Sequence, residues 1–144
     1  PVSDLDLRTI PIPATKIGDN AFSRCGLTSV IIPDYIEVIH YNAFSNNNLT
    51  NITFPDSIKT LYFESFHDNN LERITIGEGV DIQRDLLAPD NNLFRAAYQN
   101  GGAGTYVGTQ TGEWTKVTAD VLVSAINVSC RRSDRHANSN SSSS

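Results

Sequence analysis

The fold is decided by residues 27–44, which read LTSVIIPDYIEVIHYNAF. The same arrangement of apolar residues, proline and phenylalanine returns at residues 49–66, which read LTNITFPDSIKTLYFESF. The period is 22 residues, and it is shared by five leucines: Leu5, Leu27, Leu49, Leu71 and Leu93. A fixed period of this length indicates a repeat architecture in which each copy forms one structural unit.

Each copy is expected to begin with a short strand. In residues 27–32, Val30 and Ile32 face one way and Ser29 and Ile31 the other, which is the alternation of a strand. Pro33 ends the strand, because proline cannot donate to a sheet ladder. Farther along the copy, a tight helical turn is expected to direct a phenyl ring into the centre of the coil.

One copy cannot cover its own apolar side. Stacking copies at about 4.8 Å, the spacing of paired strands, would join the apolar sides into one core. The sequence therefore predicts a right-handed leucine-rich solenoid of parallel short strands, in which Phe22, Phe44 and Phe66 line up. We expect no surface concave enough to hold a substrate.

Asparagine pairs mark the end of each copy. They precede the repeating leucines, with Gly26 at the same position in the first copy: Asn47-Asn48, Asn69-Asn70 and Asn91-Asn92. Asparagine and glycine tolerate left-handed backbone conformations, so each copy is expected to turn there. The stacked amides could also bond to the backbone of the next coil.

The pattern L-x-x-[VI]-x-[IF]-P-x-x-I-x-x-I-x-x-x-A-F resembles the BspA-like leucine-rich repeats of bacterial surface proteins. We expect four copies over residues 5–92, of which the first and last are irregular. In the fourth, Gly77 replaces the proline, Gln83 fills the third inward position, and Ala88 stands where phenylalanine is expected. A decaying last repeat is normal near the end of a solenoid.

Residues 93–116 resemble the C-terminal cap of that family. We expect a helix over 93–98 and a hairpin of 105–107 with 113–116, with Tyr106 and Trp114 covering the open end of the core. Residues 117–144 form an extra segment: 117–128 would be one more strand or a helical segment, and the tail from Arg131 reads as disordered.

Composition excludes several classes of partner. The formal net charge is -5 and the pI is near 5.0, so no basic surface would attract nucleic acid. No stretch reaches the ~20 apolar residues of a membrane span, so membrane insertion is not expected. Cys25 and Cys130 form neither a disulfide framework nor a CxxC metal pair, and whether they pair is left open.

No motif in the sequence predicts chemistry. The glycines at 101–104 lack the Gly-Lys-Ser/Thr ending of a phosphate-binding loop, and the three histidines are far apart. Asp68-Asn69-Asn70 could offer oxygens to calcium, but turn chemistry explains it more simply. We therefore predict no catalytic residue, no metal site and no cofactor, and the chain is not expected to be an enzyme.

Two surfaces are candidates for binding. The first is the outward side of the strands, where side chains of successive copies line up: Leu7, Thr9, Ser29, Ile31, Asn51, Thr53, Arg73 and Thr75. The second is a pair of aromatic rows, since aromatic side chains at a surface often mark a recognition patch: His40 with Tyr62 and Tyr41 with Phe63.

The family resemblance implies a protein-binding, adhesin-like module that is extracellular or at the bacterial cell surface, with host matrix or a bacterial surface protein as partner. A carbohydrate- or cell-wall-binding module is the alternative, with sugars stacked on the aromatic rows. A structural spacer in a larger surface protein is a further alternative.

Overall fold

The computed structural model describes residues 3–10, 14–89 and 91–118, and in them the chain winds through about three turns of a parallel solenoid. The elements in chain order are β1 Asp4–Asp6, a 3-10 helix Leu7–Thr9, β2 Lys16–Ile17, β3 Ser29–Ile31, β4 Val38–Ile39, β5 Asn51–Thr53, β6 Thr60–Leu61, β7 Arg73–Ile76, β8 Asp81–Ile82, α1 Leu93–Gly101, β9 Gly104–Gly108 and β10 Trp114–Lys116. We call the four 22-residue windows from Leu5 to Asn92 coils 1 to 4.

Two sides of the solenoid are lined by strands. On one side, β2, β4, β6 and β8 form a parallel sheet in that order. On the other, β1 pairs with β3, while β5, β7, β9 and β10 form a second sheet in which β9 and β10 are antiparallel to their neighbours. The apolar core lies between these two sides.

The phenylalanines stack through the core as expected. The ring centroids of Phe22 and Phe44 are 5.5 Å apart and those of Phe44 and Phe66 are 5.2 Å apart, with both pairs nearly parallel. Phe44 and Phe66 are fully buried. The expected continuous column of apolar side chains is therefore present.

The left-handed turns lie at other positions than the asparagine pairs. Gly26 is left-handed as expected, but the non-glycine residues of positive φ fall in two series: Asn20, Asn42, Glu64 and Asp85, and then Arg24, Asn46 and Asp68. The first series interrupts what was expected to be a helical turn before Phe44, so each coil bends there in a tight turn.

The first asparagine of two of the pairs, Asn47 and Asn69, has a different role: its amide bonds to backbone groups as expected, but in its own and the preceding coil and not in the next. The Asn47 amide oxygen accepts from the backbone N–H of Cys25 in the preceding coil and from that of Leu27 in its own coil, each at 3.0 Å. The Asn47 amide nitrogen donates to the carbonyls of Phe22 at 2.9 Å and Phe44 at 3.0 Å. A column of amides thus satisfies backbone groups that burial removes from water.

Coil 1 departs from the period. Leu7 and Thr9, expected as outward strand positions, lie in the 3-10 helix, and Leu7 is buried. The strand lies at Asp4–Asp6 instead, where Asp4 pairs with Ser29. The shift has a local cause: the Asp6 carboxylate caps the helix by accepting from the Arg8 N–H at 3.0 Å.

From β8 onward, coil 4 runs one residue ahead of the period, because one residue fewer lies between β7 and β8 than between the corresponding strands of coil 3. β8 pairs Leu61 with Ile82, so Ile82 and not Gln83 fills the third inward position. With the same shift of one, Leu87 and not Ala88 takes the phenylalanine position, and both residues are buried. The positive φ of Asp85, 21 residues after that of Glu64, shows the same shift.

The cap closes coil 4 as a helix and a hairpin. Tyr106 and Trp114 are buried, and each packs edge-on against Phe94 with ring centroids 5.5 Å apart. The Tyr98 hydroxyl accepts from Val80 N at 3.0 Å and donates to Gly77 O at 2.6 Å, so the helix is bonded to the turn that lacks the proline. The 22-residue spacing would place Leu93 in the core with the other repeating leucines. Instead it begins α1 and is 43% exposed.

The segment after the hairpin falls mostly outside the described residues. Within the described part, the Val117 N–H donates to Thr105 O at 2.7 Å beside β9. The expected strand or helical segment over 117–128 lies outside it from residue 119 onward, as do Cys130 and the tail from Arg131.

Candidate functional site

The strand side presents the side chains that the sequence predicted. Along β3 and β5 the outward residues are exposed, and Ile31 keeps 45% of its surface in contact with solvent. On β7, Arg73 is exposed and Thr75 is half-buried. β7 is in register with β5, so Asn51 lies beside Arg73 and Thr53 beside Thr75.

A cleft of about 430 Å³ opens on this side between β3 and β5. Its lining includes four of the six predicted strand residues: Ser29, Ile31, Asn51 and Thr53. Thr28, Val30, Ile32 and Pro55 complete it. The period did not predict this cleft, which is an open groove on the strand side and not an enclosed cavity within the core.

The cleft exists because the ladder of strands is interrupted. β3 pairs with β1 on its other edge, β5 pairs with β7, and the described residues contain no ladder between β3 and β5. Farther along the solenoid, Thr50 O accepts from the N–H groups of Glu72 at 2.8 Å and Arg73 at 3.3 Å. Near the start of β3 and β5, the only backbone hydrogen bond that bridges the two strands in the described part of the chain is the one that the Asn48 N–H donates to Leu27 O, at 2.7 Å.

The polar side chains around the cleft form hydrogen bonds with adjacent side chains. The Ser29 hydroxyl donates to the Asp4 carboxylate at 2.7 Å, and the Asn51 amide donates to the Thr50 hydroxyl at 3.2 Å. Beyond the cleft, the Thr75 and Thr105 hydroxyls are 2.9 Å apart, which extends the polar row onto the cap strand. The result is an apolar centre at Ile31 with hydroxyl and amide groups around it.

Charge on this side is nearly balanced. Arg8 pairs with Asp6 through two side-chain hydrogen bonds of 2.9 and 2.7 Å. These bonds, together with the backbone bond from Arg8, lower the pKa of Asp6 to about 2. Arg73 adds one exposed positive charge beyond the cleft. The strand side therefore offers hydrogen bonds and apolar area more than a strong electrostatic field.

The aromatic rows lie on the other side of the solenoid, directly after β4 and β6. The rings of His40 and Tyr62 stack with centroids 4.9 Å apart and planes at 9°. The rings of Tyr41 and Phe63 are 5.0 Å apart and tilted by 53°. The structure therefore brings each predicted pair together, and it keeps these four residues apart from the strand residues.

Ring stacking affects what the rows can bind. His40 and Tyr62 turn one ring face toward each other, so the area that a sugar ring could cover is reduced. Phe63 is the most open of the four at 40% exposure. His40 Nδ1 also lies 3.8 Å from Asp19 Oδ1, which places a carboxylate at one end of the aromatic rows.

A smaller cleft of about 260 Å³ was missed from the sequence. It lies between coil 3 and the hairpin turn and is lined by Asn70, Leu71, Glu72, Thr109, Gln110 and Thr111. Its position depends on how the cap folds back onto the repeats. The cleft between β3 and β5 was missed for a related reason, because the period predicts an unbroken ladder.

The alternatives for chemistry gain no support from the geometry. Asn69 of the Asp-Asn-Asn segment uses its amide within the fold, donating to the carbonyls of Phe44 at 3.0 Å and Phe66 at 3.1 Å. In the ranges that the structure describes, no three His, Cys, Asp or Glu side chains are grouped as a metal site would need. Cys25 is exposed, and its Sγ lies 3.5 Å from Ser23 O.

Comparison with known proteins identifies the repeats. The family model described as the BspA type leucine-rich repeat region, in 6 copies, matches residues 3–94. No curated protein and no solved structure matches the chain. Repeats of this kind suggest a protein-interaction module and typically form a non-enzymatic scaffold. Within the described residues, no helix is both long enough and apolar enough to cross a membrane.

Proposed function

Because the chain belongs to the BspA-type leucine-rich repeat family over residues 3–94, we propose that it is a non-enzymatic protein-binding module that docks its partner on the strand side. The partner is a protein of the host matrix or of a bacterial surface, and the parent protein is adhesin-like and lies outside the cell or at its surface. The cleft between β3 and β5 is the observation that carries this proposal.

Three properties of the cleft support a protein partner. Ile31 supplies an exposed apolar centre, and Ser29, Asn51 and Thr53 surround it with donors and acceptors. An apolar centre with a polar rim is the usual composition of a protein interface. The missing ladder between β3 and β5 also leaves a groove between these strands into which a partner's side chain could insert.

A carbohydrate- or cell-wall-binding module is the second candidate. The exposed ring of Phe63 beside Tyr41 favours it, since aromatic side chains are the surfaces on which sugar rings stack. The mutual stacking of His40 and Tyr62 weighs against it, because those rings already use one face each. The third alternative, a structural spacer, would need neither surface.

The test measures binding of the full chain to a panel of purified matrix proteins by biolayer interferometry, in parallel with a glycan array. Ile31→Glu should weaken binding to a matrix protein about tenfold or more by placing charge at a desolvated contact, and Arg73→Glu should weaken it by reversing the charge beside the cleft. Melting temperatures should stay close to the wild-type value, because both side chains are exposed. Tyr41→Ala is the matched control on the other side.

The outcomes separate the candidates. Loss of protein binding in the two strand variants, with binding retained in Tyr41→Ala, supports the proposal. Glycan binding that is lost in Tyr41→Ala and kept in Ile31→Glu would replace it with the carbohydrate module. Binding to neither panel would leave the spacer.

A further inference from the structure

The sheet of β2, β4, β6 and β8 carries charges that change sign from one end to the other. In the row of outward strand residues, Lys16 of coil 1 is positive and Asp81 of coil 4 is negative, with Val38 and Thr60 between them. Lys16 and Asp81 are both exposed. This row alone would attract an inverted copy of itself.

The neighbouring row changes sign in the opposite direction. Its members are Asp19, Tyr41, Phe63 and Arg84, where the one-residue shift in coil 4 brings Arg84 into line. The Gln83 N–H donates to Leu61 O at 2.9 Å, as the Tyr62 N–H donates to Ile39 O, which fixes that alignment. The side chains of Asp19 and Arg84 are 66% and 77% exposed.

A third row repeats the pattern at the centre of the sheet. Glu37 of coil 2 and Lys59 of coil 3 are neighbours whose charged groups are 3.4 Å apart, and both remain partly open to solvent. If the order of coils is reversed, Glu37 lies opposite a lysine and Lys59 opposite a glutamate. Every charge in the three rows therefore meets its opposite in an inverted copy.

We propose that this sheet, together with the aromatic rows beside it, is a docking surface for a second copy of the chain. The two-fold axis lies in the interface, parallel to the strands and between coils 2 and 3. Coil 1 of one protomer then faces coil 4 of its partner, and coil 2 faces coil 3. Such a contact is isologous and closes as a dimer.

This arrangement pairs charges at the edges and apolar groups at the centre. Asp19 meets Arg84 of the partner subunit, Lys16 meets Asp81 of the partner subunit, and each occurs twice by symmetry. Tyr41 meets Phe63 of the partner subunit, which covers the most exposed aromatic ring of this side. Arg84 is available for the contact, since its own ion pair is a single 3.7 Å approach of Nε to Asp85.

The size of the surface sets the expected strength. Four strands at about 4.8 Å spacing span roughly 15 Å, so the buried area falls below the ~800 Å² per partner of a stable complex. The dimer is therefore weak, and its exposed ion pairs make it sensitive to salt. This surface is separate from the strand side, so failure of this inference leaves the proposed function untouched.

The experiment is sedimentation velocity of the full chain over a concentration series, at about 20 mM and about 0.5 M salt, conditions between which the Debye length falls several-fold. Wild-type protein should dimerise at low salt, and its dissociation constant should rise about tenfold or more at high salt. Asp19→Arg alone and Arg84→Asp alone should each weaken the dimer at least tenfold, because each places like charges opposite one another.

Two combinations test the inverted geometry itself. The double variant Asp19→Arg with Arg84→Asp should dimerise again, and an equimolar mixture of the two single variants should form a heterodimer. Arg24→Asp and Asp68→Arg are matched controls, because they change charge by the same amounts at a shared left-handed turn position of coils 1 and 3. Both controls should dimerise like the wild type.

Three results would overturn the proposal. The first is a wild-type chain that stays monomeric at low salt and high concentration. The second is a pair of single variants that associate as strongly as the controls do. The third is a double variant and a mixture that both fail to recover association while circular dichroism shows folded protein.

Discussion

Gln110 of the cap hairpin takes the position in the amide column that Asn69 holds one coil earlier. The Leu49 N–H donates to Asn69 Oδ1 at 3.0 Å, and the Leu71 N–H donates to Gln110 Oε1 at 2.9 Å. Both amides also donate to Phe66 O, at 3.1 and 2.9 Å. The cap therefore completes the hydrogen bonding of the last leucine position from outside the repeats.

We expect Gln110→Ala to lower the free energy of unfolding by about 1–3 kcal/mol, because it leaves Leu71 N and the carbonyls of Phe66 and Leu87 without this partner. Urea denaturation followed by circular dichroism measures the change. Gln83→Ala is the control, since Gln83 makes an exposed bond to Asp81 and should change stability by less than ~0.5 kcal/mol. Equal losses in both variants would contradict this role.

Because the phenylalanines stack in the core, removing a buried ring should destabilise the fold much more than removing an exposed one. Phe44→Ala should lower the free energy of unfolding by about 3–5 kcal/mol, because the ring is fully buried between Phe22 and Phe66. Phe63→Ala removes the same side chain from a 40% exposed position and should cost less than ~1 kcal/mol. Denaturant titrations of the two variants make the comparison, and similar losses would exclude the stacked core.

A stabilising substitution is expected at Glu64. Its φ of 59° lies in the left-handed region, where Asn20 and Asn42 occupy the equivalent positions of coils 1 and 2. Left-handed backbone is less costly for asparagine than for glutamate, so Glu64→Asn should raise the free energy of unfolding by up to ~1 kcal/mol. The reverse change, Asn42→Glu, should lower it by a similar amount. Thermal melts decide the sign, and a loss in Glu64→Asn would contradict the assignment.

The cap should weaken in alkaline solution. Burial raises the pKa of Tyr106, with a smaller contribution from the nearby Tyr98. The unfolded chain ionises this tyrosine near pH ~10 while the folded chain keeps the proton, so its stabilising contribution is complete below pH ~10 and is lost as the pH rises further. The hydroxyl also donates to Gly102 O at 2.7 Å.

Tyr106→Phe isolates this effect. At pH ~7 the variant should be less stable than the wild type by about 1 kcal/mol, through the lost hydrogen bond. Above pH ~10 the difference should shrink, because only the wild type carries the extra alkaline dependence. The measurement is urea denaturation of both proteins at several pH values. A difference that stays constant across that range would show that Tyr106 does not titrate as described.

Much of the fold follows from spacing because repeated residues meet repeated environments. Phe22, Phe44 and Phe66 were placed correctly from the period alone, and so were Tyr106 and Trp114 in the cap. The amide column was also foreseeable, since Asn47 and Asn69 recur beside the leucines. In these places the local sequence and the stacking favour the same structure.

The errors lie where a local interaction outweighs the period. Asp6 caps a 3-10 helix and moves the first strand, and coil 4 has one residue fewer between β7 and β8, which moves Ile82 into the position assigned to Gln83. The candidate surfaces depend on these departures. The cleft needs β3 to leave the ladder, and the alignment of Arg84 with Phe63 needs the one-residue shift in coil 4, so neither could be read from a constant spacing.

The antiparallel pairing of β9 with β7 limits how such a chain could be lengthened. β9 occupies the strand edge that a fifth coil would need, so new coils are best accommodated by duplicating an internal one, such as residues 49–70. A duplication there would preserve both ends and the core. It would also place one more coil between Asp19 and Arg84. Self-association would then depend on whether the charges of the lengthened sheet still faced opposite charges in an inverted copy.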